Sequence, residues 1–170
     1  MNVKLLFNFI LIYINYIKMS KKEWGPACWF LFHGLASKVK EEEFNTIKND
    51  IWTHINSICN NLPCPDCRIH AIQLMGKTNK NVILSSKRNL EVFLFDFHNL
   101  VNKRIQSPVM TIEQYDALYK NVKLSNVINH FISKFLATTK NSKLMLDSLH
   151  RQLFAKTFIS WLRVNINKFD

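Results

Sequence analysis

The sequence predicts an all-α protein: a bundle of four helices with a short fifth, followed by a helical C-terminal extension. Three observations carry that expectation. Apolar residues recur at helical spacing through most of the chain. Only three Gly and four Pro occur in 170 residues, so few strong breakers interrupt long helices. Apolar residues make up 48% of the chain and aromatic residues 12%, enough to fill the core of one domain of this length.

The chain opens on a nearly unbroken apolar run, VKLLFNFILIYINYI, at 3–17. It falls short of the roughly 20 residues that a membrane-spanning helix needs, and Asn8 and Asn15 weaken it. No Ala-x-Ala-like cleavage site follows, so it does not read as a cleaved leader. Three readings fit: a short membrane anchor, a segment packed on the domain, or residues upstream of a true start at Met19. The last is favoured, because Met19-Ser20-Lys21-Lys22-Glu23-Trp24 has the form of an ordinary start before a first helix. Membrane contact through 3–17 remains an expectation of the first reading. The chain is therefore divided into an apolar N-terminal segment (1–18), a main domain (19–122) and a basic helical extension (123–170).

Trp29, Phe32, Leu35, Ala36 and Val39 mark a first helix over about 24–39. Phe44, Ile47, Ile51, Ile55 and Ile58 mark a second over about 42–59, which Asn60-Asn61-Leu62-Pro63 stops. A third starts at Cys64, with Pro65 suited to a first turn and Gly76 a natural stop. Residues 77–88 are polar and read as a loop. Leu90, Phe93, Leu94, Phe97 and Ile105 mark a fourth helix. Thr111-Ile112-Glu113-Gln114 is a capping-box pattern that opens a short fifth helix through about 122. Short connections favour antiparallel packing. In the extension, Val127, Phe131 and Phe135 form one stripe. Leu146, Leu149, Leu153, Phe158, Trp161 and Leu162 form a looser one.

The formal net charge is +11, and the excess is heaviest for its length in the extension. A basic surface suits nucleic acid, anionic lipid or an acidic partner. No nucleic-acid motif accompanies it, so no specific nucleic-acid partner is expected. Four cysteines, Cys28, Cys59, Cys64 and Cys67, are too few to staple a scaffold of this size. They suit one chemical site plus two further thiols.

Cys64-Pro65-Asp66-Cys67 sets two sulfurs within bridging distance at a helix start. The partial positive charge there favours a thiolate, as reversible thiol–disulfide exchange requires. A zinc site is the rival reading: Cys59, Cys64, Cys67 and His70 supply four ligands. Inert thiols are the third. A thioredoxin-like fold is excluded by the helical flanks, because that fold needs strands around the pair.

Two aromatic–histidine clusters accompany the pair. Trp29 and His33 are four residues apart and share a helix face, as do His98 and Asn102, with Asn99 beside them. Taken singly, each is an ordinary core aromatic and a satisfied histidine. Taken together with the cysteine pair, these polar faces call for a partner when buried, and an aromatic ligand with ring edges and phosphates supplies one.

Three blocks now stand in order: WGPACWFLFHGLA (24–36), LPCPDCRIHA (62–71) and FHNLVNKRI (97–105). They resemble the ERV/ALR family of FAD-linked sulfhydryl oxidases, above all its short viral members. The resemblance spans about 20–122 and leaves 125–170 uncovered. It implies a four-helix bundle with a short fifth helix that holds FAD at its mouth. It implies that a protein dithiol reduces the Cys64–Cys67 disulfide and that electrons pass through FAD to O2, giving H2O2. By the family pattern Cys67 lies nearest the isoalloxazine, and Cys64 is the sulfur that substrate attacks. Gly25, Trp29, His33, His98, Asn99, Val101 and Asn102 match cofactor-contacting positions. Lys103 and Arg104 are phosphate neighbours, and Tyr115 matches a trailing aromatic.

The departures also carry expectations. Pro26 stands where many members have Arg, and Phe95 where cellular members have a structural cysteine. No second Cys-x-x-Cys occurs in the 170 residues, so a separate thioredoxin-like protein is expected to relay oxidation to final substrates. Cys28 and Cys59 read as buried thiols. The resemblance further implies a homodimer through the first helices and, for a viral member, work in the host cytoplasm or the virion.

Overall fold

Among the described residues eight α-helices form, seven where the apolar periodicity places helices and one, a single turn, in the expected loop over 77–88. The computed structural model describes residues 3–135 and 145–170, with side chains over 21–135 and 149–170. The elements are α1 (Val3–Lys38), α2 (Glu41–Asn60), α3 (Pro65–Gly76), α4 (Lys80–Ile83), α5 (Lys87–Arg104), α6 (Ile112–Tyr119), α7 (Leu124–Phe135) and α8 (Met145–Asn165), then a 3-10 turn, Ile166–Lys168. The contacts expected of side chains in 3–17, and of Leu146, lie outside the described residues.

Local chemistry explains most helix boundaries. Glu41, Glu42 and Glu43 fill the first turn of α2, where the exposed backbone N–H groups favour negative charge. Pro65 occupies the first turn of α3, where its missing N–H is no loss. Ser86 caps α5 by accepting from the Asn89 N–H. Thr111 and Gln114 form the expected capping box on α6.

Two boundaries depart from expectation, and a third falls where expected by another route. α1 does not begin at Trp24 but runs through Pro26, whose ring leaves the Lys22 carbonyl without its usual donor. The loop over 77–88 holds the single turn α4, capped by the Asn79 carboxamide. One turn is too short to leave a periodic signal. Gly76 ends α3 without entering the left-handed region that usually makes glycine a stop. The Lys77 N–H and the Thr78 hydroxyl instead close on the carbonyls of Leu74 and Met75.

The core lies between α1, α2 and α5, around Leu31, Leu35, Ile51, Ile55, Ile58, Leu90 and Leu94, all fully buried. The C-terminal extension enters the same core. α7 lies along α1, with Leu124, Val127, Phe131 and Phe135 turned inward. Gly34 admits it: a Cβ there would sit 3.4 Å from Leu124 Cδ1 and 3.6 Å from Val127 Cγ1. α8 packs on α2. His54 lies among the rings of Phe154, Phe158 and Trp161, and the Trp161 indole donates to Asp50 at 3.0 Å. The chain end is pinned by an antiparallel bridge between Val39 and Phe169, with Lys40 N–H donating to Lys168 O and Asp170 N–H to Lys38 O.

The expected stripe on α8 needs correction. Leu149 and Leu153 are half exposed, whereas Arg151, Ala155, Phe158 and Leu162 face inward. That set has the four-three-four spacing of one helix face; Leu149 and Leu153 lie off it. Among the described residues, no helix is long and apolar enough to cross a membrane.

Candidate functional site

Cys64 is the N-cap of α3, in extended conformation, and its sulfur takes the place of the usual capping oxygen. The Cys67 N–H donates to it at 3.3 Å. The Cys67 thiol donates to the same sulfur at 2.6 Å. That bond draws the Cys64 pKa down to about 5, against the opposing effect of burial. The Cys67 N–H and the Lys21 ammonium add to it. The same hydrogen bond, reinforced by burial, pushes Cys67 up. In the reduced pair the negative charge therefore rests on Cys64 and the proton on Cys67. Cys64 is the more buried of the two; Cys67 is partly open.

Lys21 was not among the expected site residues. It lies on α1, one turn before Gly25, and its positive charge helps to lower the Cys64 pKa. Its spacing of seven from Cys28 puts it on the α1 face that turns toward the end of α2.

The zinc set is not assembled. Cys59 faces the core beside Cys28, and burial drives the pKa of both thiols upward, Cys59 to about 12. The His70 Nδ1–H donates to Asp66 O at 2.6 Å. Among the described residues, no group of three His, Cys, Asp or Glu could hold a metal.

The two aromatic–histidine clusters do come together. His33 on α1 meets His98 on α5, Nε2 to Nδ1, at 3.1 Å. The Trp29 indole stacks on the His98 ring at 4.1 Å and 10°. Tyr115 and Tyr119, four apart on α6, close the nest against His33 at 4.8 Å and 4.3 Å. Tyr119 was also missed, although its spacing from Tyr115 placed both on one face. Burial, aided by His98, holds His33 well below its usual pKa, and burial lowers His98 to about 4. Both rings are thus neutral near pH 7. Burial also raises both tyrosines, Tyr119 to about 12.

Two polar atoms of the nest are orphaned. His33 Nδ1 and the Tyr115 hydroxyl are buried without a hydrogen-bond partner. Such groups are costly in a closed core. A flat heteroaromatic ligand with hydrogen-bonding ring edges fits this donor set, with Trp29 only partly buried at its side.

The other expected positions vary. Val101 and Asn102 are partly buried on α5, and Lys103 and Arg104 are exposed in its last turn. Gly25 opens onto free space, with nothing within 4 Å of a Cβ built there. Asn99 is engaged elsewhere: its carboxamide donates to Met110 O and accepts from Met110 N–H, both at 2.9 Å. A shallow hollow beside this loop is lined by Pro108, Val109, Met110, Gln114, Ala117 and Leu118, none of them a cysteine or a nest residue.

A helical bundle that keeps one member of a cysteine pair as thiolate at a helix start is built for thiol–disulfide exchange. The sheltered nest gives that class a second feature, two buried polar atoms without a partner. The chain belongs to the Erv1/Alr family, whose model matches residues 26–120. It is 30% identical over 104 residues to protein 096R of Invertebrate iridescent virus 3, a candidate FAD-linked sulfhydryl oxidase, covering 61% of this chain and 70% of that one. It is 27% identical over 104 residues to the FAD-linked sulfhydryl oxidase of African swine fever virus (isolate Tick/Malawi/Lil 20-1/1983), covering 61% and 86%. No solved structure matches the chain. The family match ends before α7, so α7 and α8 lie outside it.

Proposed function

We propose that the chain is an FAD-dependent thiol oxidase that forms disulfides in protein dithiols. The observation that carries this reading is the Cys64–Cys67 pair, its charge held on one sulfur at the start of α3. Substrate thiolate attacks the Cys64 sulfur of the oxidised pair, the Cys64–Cys67 bond breaks, and Cys67 leaves as thiolate. The second substrate thiol then attacks the substrate sulfur of the mixed disulfide, and Cys64 leaves. Two electrons and two protons have left the substrate. A sulfur with a low pKa leaves readily, which supports Cys64 as the substrate-bound member. FAD, when bound, accepts the electron pair from the reduced cysteines and gives it to O2 as H2O2.

Trp29, His33, His98 and Tyr115 are the residues proposed to hold the ring system, with Gly25, Val101 and Asn102 beside it. Lys103 and Arg104 are proposed for the phosphates. Asn99 would serve indirectly, by fixing the loop at Met110. The oxidase unit is proposed to be 19–122, with 123–170 as a buttress on α1 and α2. A thioredoxin-like protein dithiol is the proposed relay, and the host cytoplasm or the virion the proposed compartment, by analogy with the viral relatives. For a homodimer, the parts of α1 and α2 not covered by α7 and α8 are left to a second copy.

The test is an absorbance spectrum and oxygen uptake with a dithiol. A stoichiometric flavin band and turnover abolished by Cys67→Ser are expected. A colourless protein without uptake overturns the proposal.

A further inference from the structure

We propose that Pro65, Ile69, Ile72 and Gly76 form the docking strip for the dithiol substrate, which lays the apolar residues next to its reacting cysteine along them. The proposal rests on the oxidase reading and adds what that site recognises. The four residues follow one another at spacings of four, three and four, so they line one face of α3. All four are exposed, with Ile69 at 51% and Ile72 at 42%. Ala71 and Met75 mark the face that α3 turns to the core. The strip lies about a third of a turn around the helix from that face. A surface helix ordinarily sets polar residues on its free side, and α3 sets two isoleucines there.

Exposed apolar residues scattered singly need no partner. Ile69 and Ile72 are one turn apart, and their strip begins at the redox pair, which decides what covers it. Pro65 stands between Cys64 and Cys67 in the chain. A substrate sulfur bonded to Cys64 therefore brings the substrate's own chain over the start of α3. At about 1.5 Å per residue, Ile72 lies about 10 Å along the helix from Pro65. Extended chain covers that span in about three residues. The residues within about three positions of the substrate cysteine thus fall on Ile69 and Ile72. Charge narrows the occupant further. Residues 61–82 hold one acid, Asp66, and three bases, Arg68, Lys77 and Lys80, while the strip itself is uncharged. A neutral or acidic apolar segment fits this surface, and a basic one is repelled. Contact with the isoleucines is made before and during sulfur exchange, so it raises the second-order rate rather than maximal turnover.

The test is the rate at which reduced peptides open the Cys64–Cys67 disulfide of the oxidised full-length protein under argon, read by acid quench and peptide mass. Each peptide carries one Cys-Gly-Ser-Cys pair, and the two differ only in having Leu or Gln at about three positions on either side. The peptide gives two electrons and two protons to the pair and closes its own disulfide, so no further oxidant enters. Wild type is expected to react about tenfold faster with the Leu peptide, the gain from covering two half-exposed isoleucines. Ile69→Gln/Ile72→Gln is expected to cut that ratio below about twofold, and Gln73→Ser to keep it. Dithiothreitol, too small to reach Ile69, is expected to open the disulfide of all three proteins at one rate. A wild-type ratio near one overturns the inference, as does a ratio that survives the double variant. Slow reaction of the double variant with dithiothreitol would make the isoleucines part of the packing around the pair and overturns it too. So does a loss of self-association in the double variant with the ratio unchanged, which assigns the strip to a second copy. Oxygen uptake by wild type with dithiothreitol tests the oxidase reading separately: its failure overturns that reading, whereas the peptide ratio needs neither flavin nor O2.

Discussion

His33 Nε2 and His98 Nδ1 meet at 3.1 Å and tie α1 to α5 through two rings shut off from water. One ring nitrogen must donate and the other accept, so at least one ring is neutral, and burial favours neutrality in both. The unfolded chain takes up protons on both near pH 6.5. The folded chain resists until about pH 4 at His98. Across that window the unfolded state binds more protons, so stability falls as pH drops from about 6.5 toward 4 and is level above it. His98 alone contributes at most about 3 kcal/mol to the fall. Urea midpoints of the cofactor-free protein, with the cysteine pair oxidised so that Cys64 does not titrate, are expected to trace this decline. His98→Gln should shallow it. Midpoints level down to pH 4.5 in wild type would mean that the rings are hydrated.

The two cysteines are expected to separate by role when each is removed. Cys67→Ser leaves Cys64 without a resolving partner, so a mixed disulfide should accumulate there when its thiolate attacks the disulfide of an oxidised dithiol protein and one partner thiolate is released. Cys64→Ser should accumulate little, because the remaining thiol lacks the features that hold Cys64 as thiolate. Non-reducing mass analysis after mixing with an oxidised dithiol protein reads the difference. Trapping on Cys67 alone would reverse the roles, in line with its greater exposure.

What the sequence made legible was what periodicity encodes. Trp29 with His33, and His98 with its neighbours, were readable because a spacing of four puts residues on one helix face. Tyr119 was available by the same rule from Tyr115. Lys21 was not, because its partnership with Cys64 depends on how α1 meets α3, which no local pattern contains. Asn99 was placed with the cofactor positions by resemblance. Its bonds to the Met110 backbone depend on the path of a loop, which helical spacing does not set. Leu149 and Leu153 misled for a related reason. Apolar side chains mark a buried face only when the partner lies on that side, and α2 lies on the side of Ala155 and Phe158.

The strap between α5 and α6 contains opposite contributions that can be separated. Gln106 has φ of 56°, in the left-handed region that costs a side-chain-bearing residue about 1 kcal/mol. Gln106→Gly is therefore expected to stabilise by about 0.5–1 kcal/mol, less glycine's added freedom when unfolded. Asn99→Ala removes both partners of the Met110 backbone and is expected to cost about 1–3 kcal/mol. Thermal melting checks both: the first variant holds or rises by about a degree and the second falls. A fall for Gln106→Gly would place the strain elsewhere.

The seat of α7 on α1 decides whether the extension is part of the fold. Phe131 is fully buried and stacks on Phe135 at 4.7 Å, with the Phe158 ring of α8 at its edge. Truncating such a side chain leaves a cavity, and Phe131→Ala is expected to cost about 3–5 kcal/mol. Gly34 faces α7 at the same seam, in helical conformation, and an added methyl group meets Leu124 at ordinary contact distance. Gly34→Ala is therefore expected to be neutral or to stabilise by up to about 1 kcal/mol, since glycine in a helix interior loses more freedom on folding. A larger residue has no such room, so Gly34→Leu should force α7 away and lose several kcal/mol. Denaturant unfolding followed by circular dichroism reads all three. If α7 shares the core, each variant unfolds in one transition with a shifted midpoint. A Phe131→Ala cost below about 1 kcal/mol, or a second transition that moves alone, would make the extension a loosely held appendage. The contrast between alanine and leucine at Gly34 adds what the Phe131 variant cannot: it reports the distance between two helices rather than the burial of one ring.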